Sequence, residues 1–193
     1  MLTIDSKLPH IGTTIFTVMS ALAEQHRAIN LSQGFPNFEM PEKLIHLTDF
    51  YMKRGVNQYA AMAGVPILRQ RLAAKMQKSY DIPIDFNNEI TITAGGTQAI
   101  FTAIAAFIRP DDEVILIEPA YDSYAPSILT FGGRVVPYRL TPPQYQIDWN
   151  AFAQLITPKT KMIIINTPHN PTGKTLKMND LENLSRLTEG SDI

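Results

Sequence analysis

Two stretches of the chain combine residue types that suit ligand chemistry. Thr93, Ala94, Gly95, Gly96 and Thr97 follow one another directly. Two glycines let the backbone approach a ligand closely, Thr97 adds a hydroxyl donor, and the apolar run that follows reads as a helix. At a helix start, unpaired amides and the helix dipole favour an anion such as phosphate, by roughly 0.3–1 kcal/mol on an exposed surface. The same glycines would equally serve a tight strand-to-helix turn without a ligand. The second stretch is Asn166, Thr167, Pro168, His169, Asn170, Pro171, Thr172 and Gly173. Its prolines and glycine restrict the loop, so a side chain on it loses little further freedom on meeting a ligand. Asn170, next to Pro171, is placed to present its amide. The structural alternative is an asparagine bonded to its own backbone in a turn. His169 either touches a substrate or faces water.

Other chemistries find less support. The triplet Gly173, Lys174, Thr175 invites comparison with a phosphate loop, but the glycine required five residues before Gly173 is Pro168. Lys174 therefore reads as a surface lysine. The absence of cysteine excludes disulfides and thiolate metal sites. The four histidines form no closely spaced pair of the kind that binds a metal. Seventeen basic and eighteen acidic residues leave a formal net charge of -1, so no overall basic field suits nucleic acid. The start of the chain lacks the apolar core of a signal peptide. No apolar run approaches the roughly 20 residues of a membrane helix. A cytoplasmic protein with no membrane partner is the expectation.

The elements that must position these loops follow from periodicity. A helix is expected over 13–22, a short extended piece over 29–36 and a helix opening at Pro41. A further helix over 65–78 places Leu68, Leu72 and Met76 on one face, with its arginines and lysines solvated. Beyond Glu89 the pattern alternates. Strands are expected over 90–93, 114–117, 134–140 and 161–165. Helices are expected from Gly96 through Ile108, over 121–131 up to Gly132 and Gly133, over 149–156 capped by Asp148, and over 178–187. Alternating strands and helices imply βαβ units, an α/β class and a mostly parallel sheet. Such a sheet binds ligands beyond the carboxyl ends of its strands, where both loops would emerge.

Read together, five segments resemble fold type I enzymes that use pyridoxal 5'-phosphate (PLP), specifically class I aminotransferases. They are Asn30-Leu31-Ser32-Gln33-Gly34-Phe35-Pro36, Asn57-Gln58-Tyr59, residues 93–97, Glu118-Pro119-Ala120-Tyr121-Asp122-Ser123-Tyr124, and residues 166–173. They occur in the family's order over nearly the whole chain. Within the family, Lys7-Leu8-Pro9, residues 12–16 and residues 121–124 are most similar to methionine aminotransferases, near relatives of kynurenine aminotransferases.

The resemblance implies the large-domain fold of PLP-dependent transferases, incomplete here, with an arm and small-domain segment over 1–45 and the first part of the PLP-binding domain over 46–193. It implies PLP as cofactor, with Gly95, Gly96 and Thr97 holding its phosphate, Tyr121 stacking on its ring and Asn170 bonding its phenolic oxygen. Without the family, Tyr121 would read as a half-buried aromatic at a helix start. Gly34 would admit a substrate carboxylate and Phe16 would line the side-chain pocket. Tyr59 would reach the phosphate of a neighbouring subunit, making the enzyme a homodimer. The substrates implied are an amino acid, methionine or another with an apolar or aromatic side chain, and a 2-oxo acid. Alternatives are a kynurenine aminotransferase with cysteine-conjugate β-lyase activity, or a non-catalytic PLP-binding module. The Schiff-base lysine is expected beyond Ile193, so no catalytic residue is assigned within the chain, and these 193 residues alone are expected to be inactive. Lys177 stands where the family often has a Ser or Thr helix cap, and the strands at 114–117 and 162–165 are expected to seek further neighbours.

Overall fold

The computed structural model describes residues 5–34 and 36–193, so the part of the 29–36 reading that falls on Phe35 lies outside the described residues. The chain divides into two compact units, one of Thr13–Gly95 and one of Gly96–Ile193 with the segment before Thr13.

The Thr13–Gly95 unit holds three helices: α1 (Ile15–Gln25), α2 (Glu42–Lys53) and α3 (Pro66–Tyr80). Helix α1 begins where the Thr14 hydroxyl accepts the Thr17 amide at 3.3 Å, a side-chain cap for an otherwise unpaired donor. Helix α2 starts directly after Pro41. Helix α3 carries Pro66 in its first turn, where a missing N–H costs nothing, and ends at Asp81 in the left-handed region with φ 55°.

Two sequence expectations fail in this unit. Arg69 is not a solvated helix residue. It is buried, and its guanidinium donates to the carbonyls of Gly64 (3.2 Å), Phe86 (2.8 Å) and Asn87 (3.3 Å). Residues 90–93 form no strand; the Ile92 amide bonds the Ala63 carbonyl at 3.0 Å, outside any ladder. In the described part of 29–36, the Asn30 carboxamide oxygen takes both the amide and the hydroxyl of Ser32 and closes a local turn.

The Gly96–Ile193 unit is built on a three-stranded parallel sheet of order β2-β1-β3, from β1 (Glu113–Glu118), β2 (Arg134–Arg139) and β3 (Thr160–Ile164). Central β1 pairs Val114 with Val135 and Met162, and Ile115 with Val136 and Ile163. Its side chains alternate between two cores, as period two requires. Val114 joins Ile104, Ile108 and Ile128 on the face of α4 (Gly96–Phe107) and α5 (Tyr124–Thr130). Ile115 and Ile117 join Leu140 and Phe152 on the face of α6 (Trp149–Ala153) and α7 (Met178–Thr188), whose Leu187 packs there. Each such fully buried side chain is worth roughly 1.5–3 kcal/mol against exposure. The expectation of a continuous apolar strand buried on both faces is thus met by β1.

Local chemistry sets the boundaries. Helix α5 starts at Tyr124 and not at Tyr121. Pro126 explains this: it has no N–H for an interior helix bond and must lie in the first turn. Gly133 sits so close to the core that a Cβ would lie 2.6 Å from Ile108 Cγ2 and 2.9 Å from Ile128 Cγ2. Asp148 caps α6 as expected, its carboxylate accepting the amides of Asn150 (2.9 Å) and Ala151 (3.2 Å), but α6 ends at Ala153 rather than Ile156. The missing Ser or Thr cap of α7 is made good from within. Asp180 accepts the Lys177 amide at 2.8 Å and, through its other oxygen, the Trp149 indole N–H at 3.0 Å, tying α7 to α6.

Candidate functional site

The parallel sheet gathers the expected residues of the Gly96–Ile193 unit at one end. Because β1 and β3 run the same way, Tyr121 beyond β1 and Asn170 beyond β3 both lie past their carboxyl ends. Helix α4 packs Ile104 and Ile108 on Val114 and is joined to β1 by a five-residue connection. It must therefore run back along the strand, which brings its start at Gly96 to the same end.

At that start, the amides of Gly96 and Thr97 have no intrahelical partner. A Cβ built at Gly95 or Gly96 would meet nothing within 4 Å, so the backbone of the turn is open to approach. Gly95 has φ 90°, a conformation suited to glycine, and the Thr93 hydroxyl donates to its carbonyl at 3.0 Å. The turn-only alternative accounts for Gly95; the open space over Gly96 and the exposed Thr97 fit an anion.

Tyr121 is half-buried in the turn before α5, its ring 5.8 Å from that of Tyr124 at 68°. Beside it, the buried Ser123 hydroxyl has no hydrogen-bond partner among the described residues. Asn170 is exposed, and its side chain is not spent on its own backbone. Its main-chain N–H donates to the Asn166 carboxamide oxygen at 2.7 Å. Asn166 is the residue that reading by type alone passed over. The signal was its spacing of four from Asn170 within a proline-restricted loop.

His169 is not a water-facing residue. It is 7% exposed, its Nδ1 lies 2.8 Å from the Thr172 hydroxyl, and its main chain closes the loop through Lys174 and Gly173. Burial pushes the imidazole below the usual histidine range, opposed by the backbone carbonyls of Ile117 and Pro119 beside it. The ring is therefore neutral near pH 7.

On the α6–α7 face a cavity of about 280 Å³ is lined by Ile117, Tyr145, Trp149, Asn166, His169 and Lys174, among others. Lys174 is half-buried there rather than a free surface lysine, and its charge helps hold the Asp180 carboxyl low, behind the larger effect of the Lys177 amide.

The remaining expected residues belong to the Thr13–Gly95 unit. Phe16 is half-buried on α1, Gly34 is exposed with open space about it, and Tyr59 is fully exposed. Among the described residues no helix is long and apolar enough to cross a membrane, and no group of three or more candidate ligands gathers to hold a metal.

The residues present suit PLP in donor chemistry: backbone amides and a hydroxyl for a phosphate, an aromatic face for a ring, and a carboxamide donor for a phenolate oxygen. The family model described as aminotransferase class I and II matches residues 26–193. The methionine aminotransferase of Escherichia coli K12 is 47% identical over 189 residues, covering 98% of this chain and 49% of the relative. A probable N-succinyldiaminopimelate aminotransferase of Mycobacterium tuberculosis is 36% identical, covering 97% and 48%. A crystal structure from Escherichia coli whose report identifies a methionine aminotransferase function superposes with a TM-score of 0.96 at 47% identity, covering all of this chain and 50% of that one. The chain spans about half the length of the curated relatives it matches.

Proposed function

The chain belongs to the class I and II aminotransferases, and from that premise we propose that it supplies cofactor-binding residues to an enzyme moving an amino group between an amino acid and a 2-oxo acid through PLP. What supports this reading is a topology that brings three unlike groups to one end of the parallel sheet: the open Gly96–Thr97 helix start, the Tyr121 ring and the Asn170 carboxamide. When bound, PLP supplies the electron sink that stabilises a carbanion at the substrate's Cα.

The chain's own residues bind and orient. The backbone of Gly95, Gly96 and Thr97 and the Thr97 hydroxyl would anchor the phosphate, with the α4 dipole adding to their attraction. Tyr121 covers one ring face, an aromatic contact worth roughly 0.5–1.5 kcal/mol beyond area burial. Asn170 donates to the phenolate oxygen and keeps a proton off that atom. The roles of Phe16 and Gly34 toward substrate, and of Tyr59 toward a second subunit's phosphate in a homodimer, rest on the family resemblance. So does the division at residue 45. Methionine as substrate is favoured by the 47% identical relative. We place the Schiff-base lysine outside these 193 residues.

Asn170→Ala tests the reading in the complete enzyme. A hydrogen bond to a charged acceptor is worth about 1.5–3 kcal/mol, and 1.36 kcal/mol is one pKa unit. Its loss should raise the pH midpoint of the bound cofactor's absorbance by about 1–2 units. An unchanged or lowered midpoint would reject the role given to Asn170.

A further inference from the structure

We propose that His169 is a positioning residue that locks the Asn170 loop to the end of β1, and so holds Asn170 and Tyr121 in fixed register. The inference rests on the functional reading above and adds to it a residue that would touch neither cofactor nor substrate. His169 directly precedes Asn170, yet the two point oppositely in character: Asn170 is exposed, and His169 is 7% exposed. The His169 carbonyl accepts the Gly173 amide and its amide donates to the Lys174 carbonyl, both at 2.7 Å, so its main chain closes the turn around Asn170 and Pro171. Its Nδ1 engages the Thr172 hydroxyl at 2.8 Å across the same turn. Its other flank meets the end of β1, where Ile117 lines the same cavity and the carbonyls of Ile117 and Pro119 face the ring. Two residues past Pro119 stands Tyr121.

The imidazole has one N–H in its neutral form. Turned toward the β1 carbonyls, it leaves Nδ1 to accept the Thr172 O–H. One small rigid ring then bonds within the Asn170 turn and lies against the end of β1. The Asn166 carboxamide, holding the Asn170 amide at 2.7 Å, supports the same loop from the end of β3. Phenylalanine would fill the ring's volume and lose the Thr172 bond. Glutamine keeps a polar group at that place.

The test uses the complete enzyme and the variants His169→Phe, His169→Gln, Asn170→Ala and the double variant His169→Phe/Asn170→Ala. Amide hydrogen exchange on cofactor-free protein should show faster exchange at Gly173 and Asn170 in His169→Phe, with helices α4 and α7 unchanged. With PLP bound, the absorbance midpoint should move in the direction Asn170→Ala moves it. Turnover should fall by about tenfold to a hundredfold, as expected for a misplacement approaching 1 Å, with KM changed less than kcat. Glutamine should restore part of both. The double variant should match Asn170→Ala alone, since residues acting through one another are not additive.

Additive losses in the double variant, or an exchange change spread over the whole unit, would overturn the positioning role. So would a His169→Phe enzyme with the wild-type midpoint and turnover. If His169→Phe fails to fold, His169→Gln with Thr172→Val decides, and additive effects there reject the proposal. If Asn170→Ala itself leaves the midpoint unchanged while His169→Phe moves it, the functional reading of Asn170 fails separately, and with it the route assigned to His169.

Discussion

Replacing Arg69 with methionine should destabilise the Thr13–Gly95 unit by about 2–3 kcal/mol, a value that follows from the surroundings of its three acceptors. The Gly64 carbonyl is buried with the guanidinium; orphaned, it costs about 1–3 kcal/mol. Phe86 is only half-buried and Asn87 is exposed, so water can take over their carbonyls, and their bonds add about 0.5–1.5 kcal/mol net. Against these losses, methionine removes a buried charge that has no carboxylate within ion-pair distance among the described residues and packs at similar length. Lysine is the informative comparison. It keeps the charge but cannot span three carbonyls with a planar fork, so Arg69→Lys should be no more stable than Arg69→Met. Urea denaturation would give the difference, and amide exchange at Gly64 and Ile92, which bond the carbonyls of Ala61 and Ala63, would locate it. Since residues 90–94 lead into the Gly95–Gly96 turn, the same variants should loosen that approach. An Arg69→Lys protein as stable as wild type, or a methionine variant that loses nothing, would refute the carbonyl-staple account.

Gly133→Ala should cost about 1–3 kcal/mol by overpacking, because its Cβ would sit 2.6 Å from Ile108 and 2.9 Å from Ile128, both deep in the core; a neutral result in urea melts would contradict the placement of the β2 entry. The Asp180 carboxyl is held below its usual value first by the Lys177 amide and also by the Trp149 indole, with burial opposing. Its folded pKa lies below the unfolded value of about 3.9, so the stability it contributes is complete above that pH and is lost as the pH falls through the folded pKa. Trp149 is the only tryptophan, and its emission should change in that acid range but not in Asp180→Ala; a midpoint above pH 4 would contradict the pairing. Tyr59→Phe should weaken PLP binding by about tenfold to a hundredfold, the loss of a bond to a charged group, and an unchanged Kd by absorbance titration would remove Tyr59 from the phosphate site.

Much of the Gly96–Ile193 unit was legible because local rules and tertiary packing agree there. The apolar run of β1, the Asp148 cap and the Gly132–Gly133 stop each say in sequence what the structure builds. The same held for the two loops that carry the candidate site, since prolines and glycines restrict the backbone whatever surrounds it. What sequence could not decide was which way a polar side chain turns. Arg69 lies on a helix rich in charge, and only the nearby carbonyls of Gly64, Phe86 and Asn87 make burying it favourable. His169 and Asn170 are neighbours of similar polarity in one restricted loop. The end of β1 beside them, a partner distant in sequence, turns the imidazole inward and leaves the carboxamide outward. Residues 90–93 have the composition of a strand, but a strand exists only where another lies beside it to take its hydrogen bonds, and composition cannot supply that neighbour.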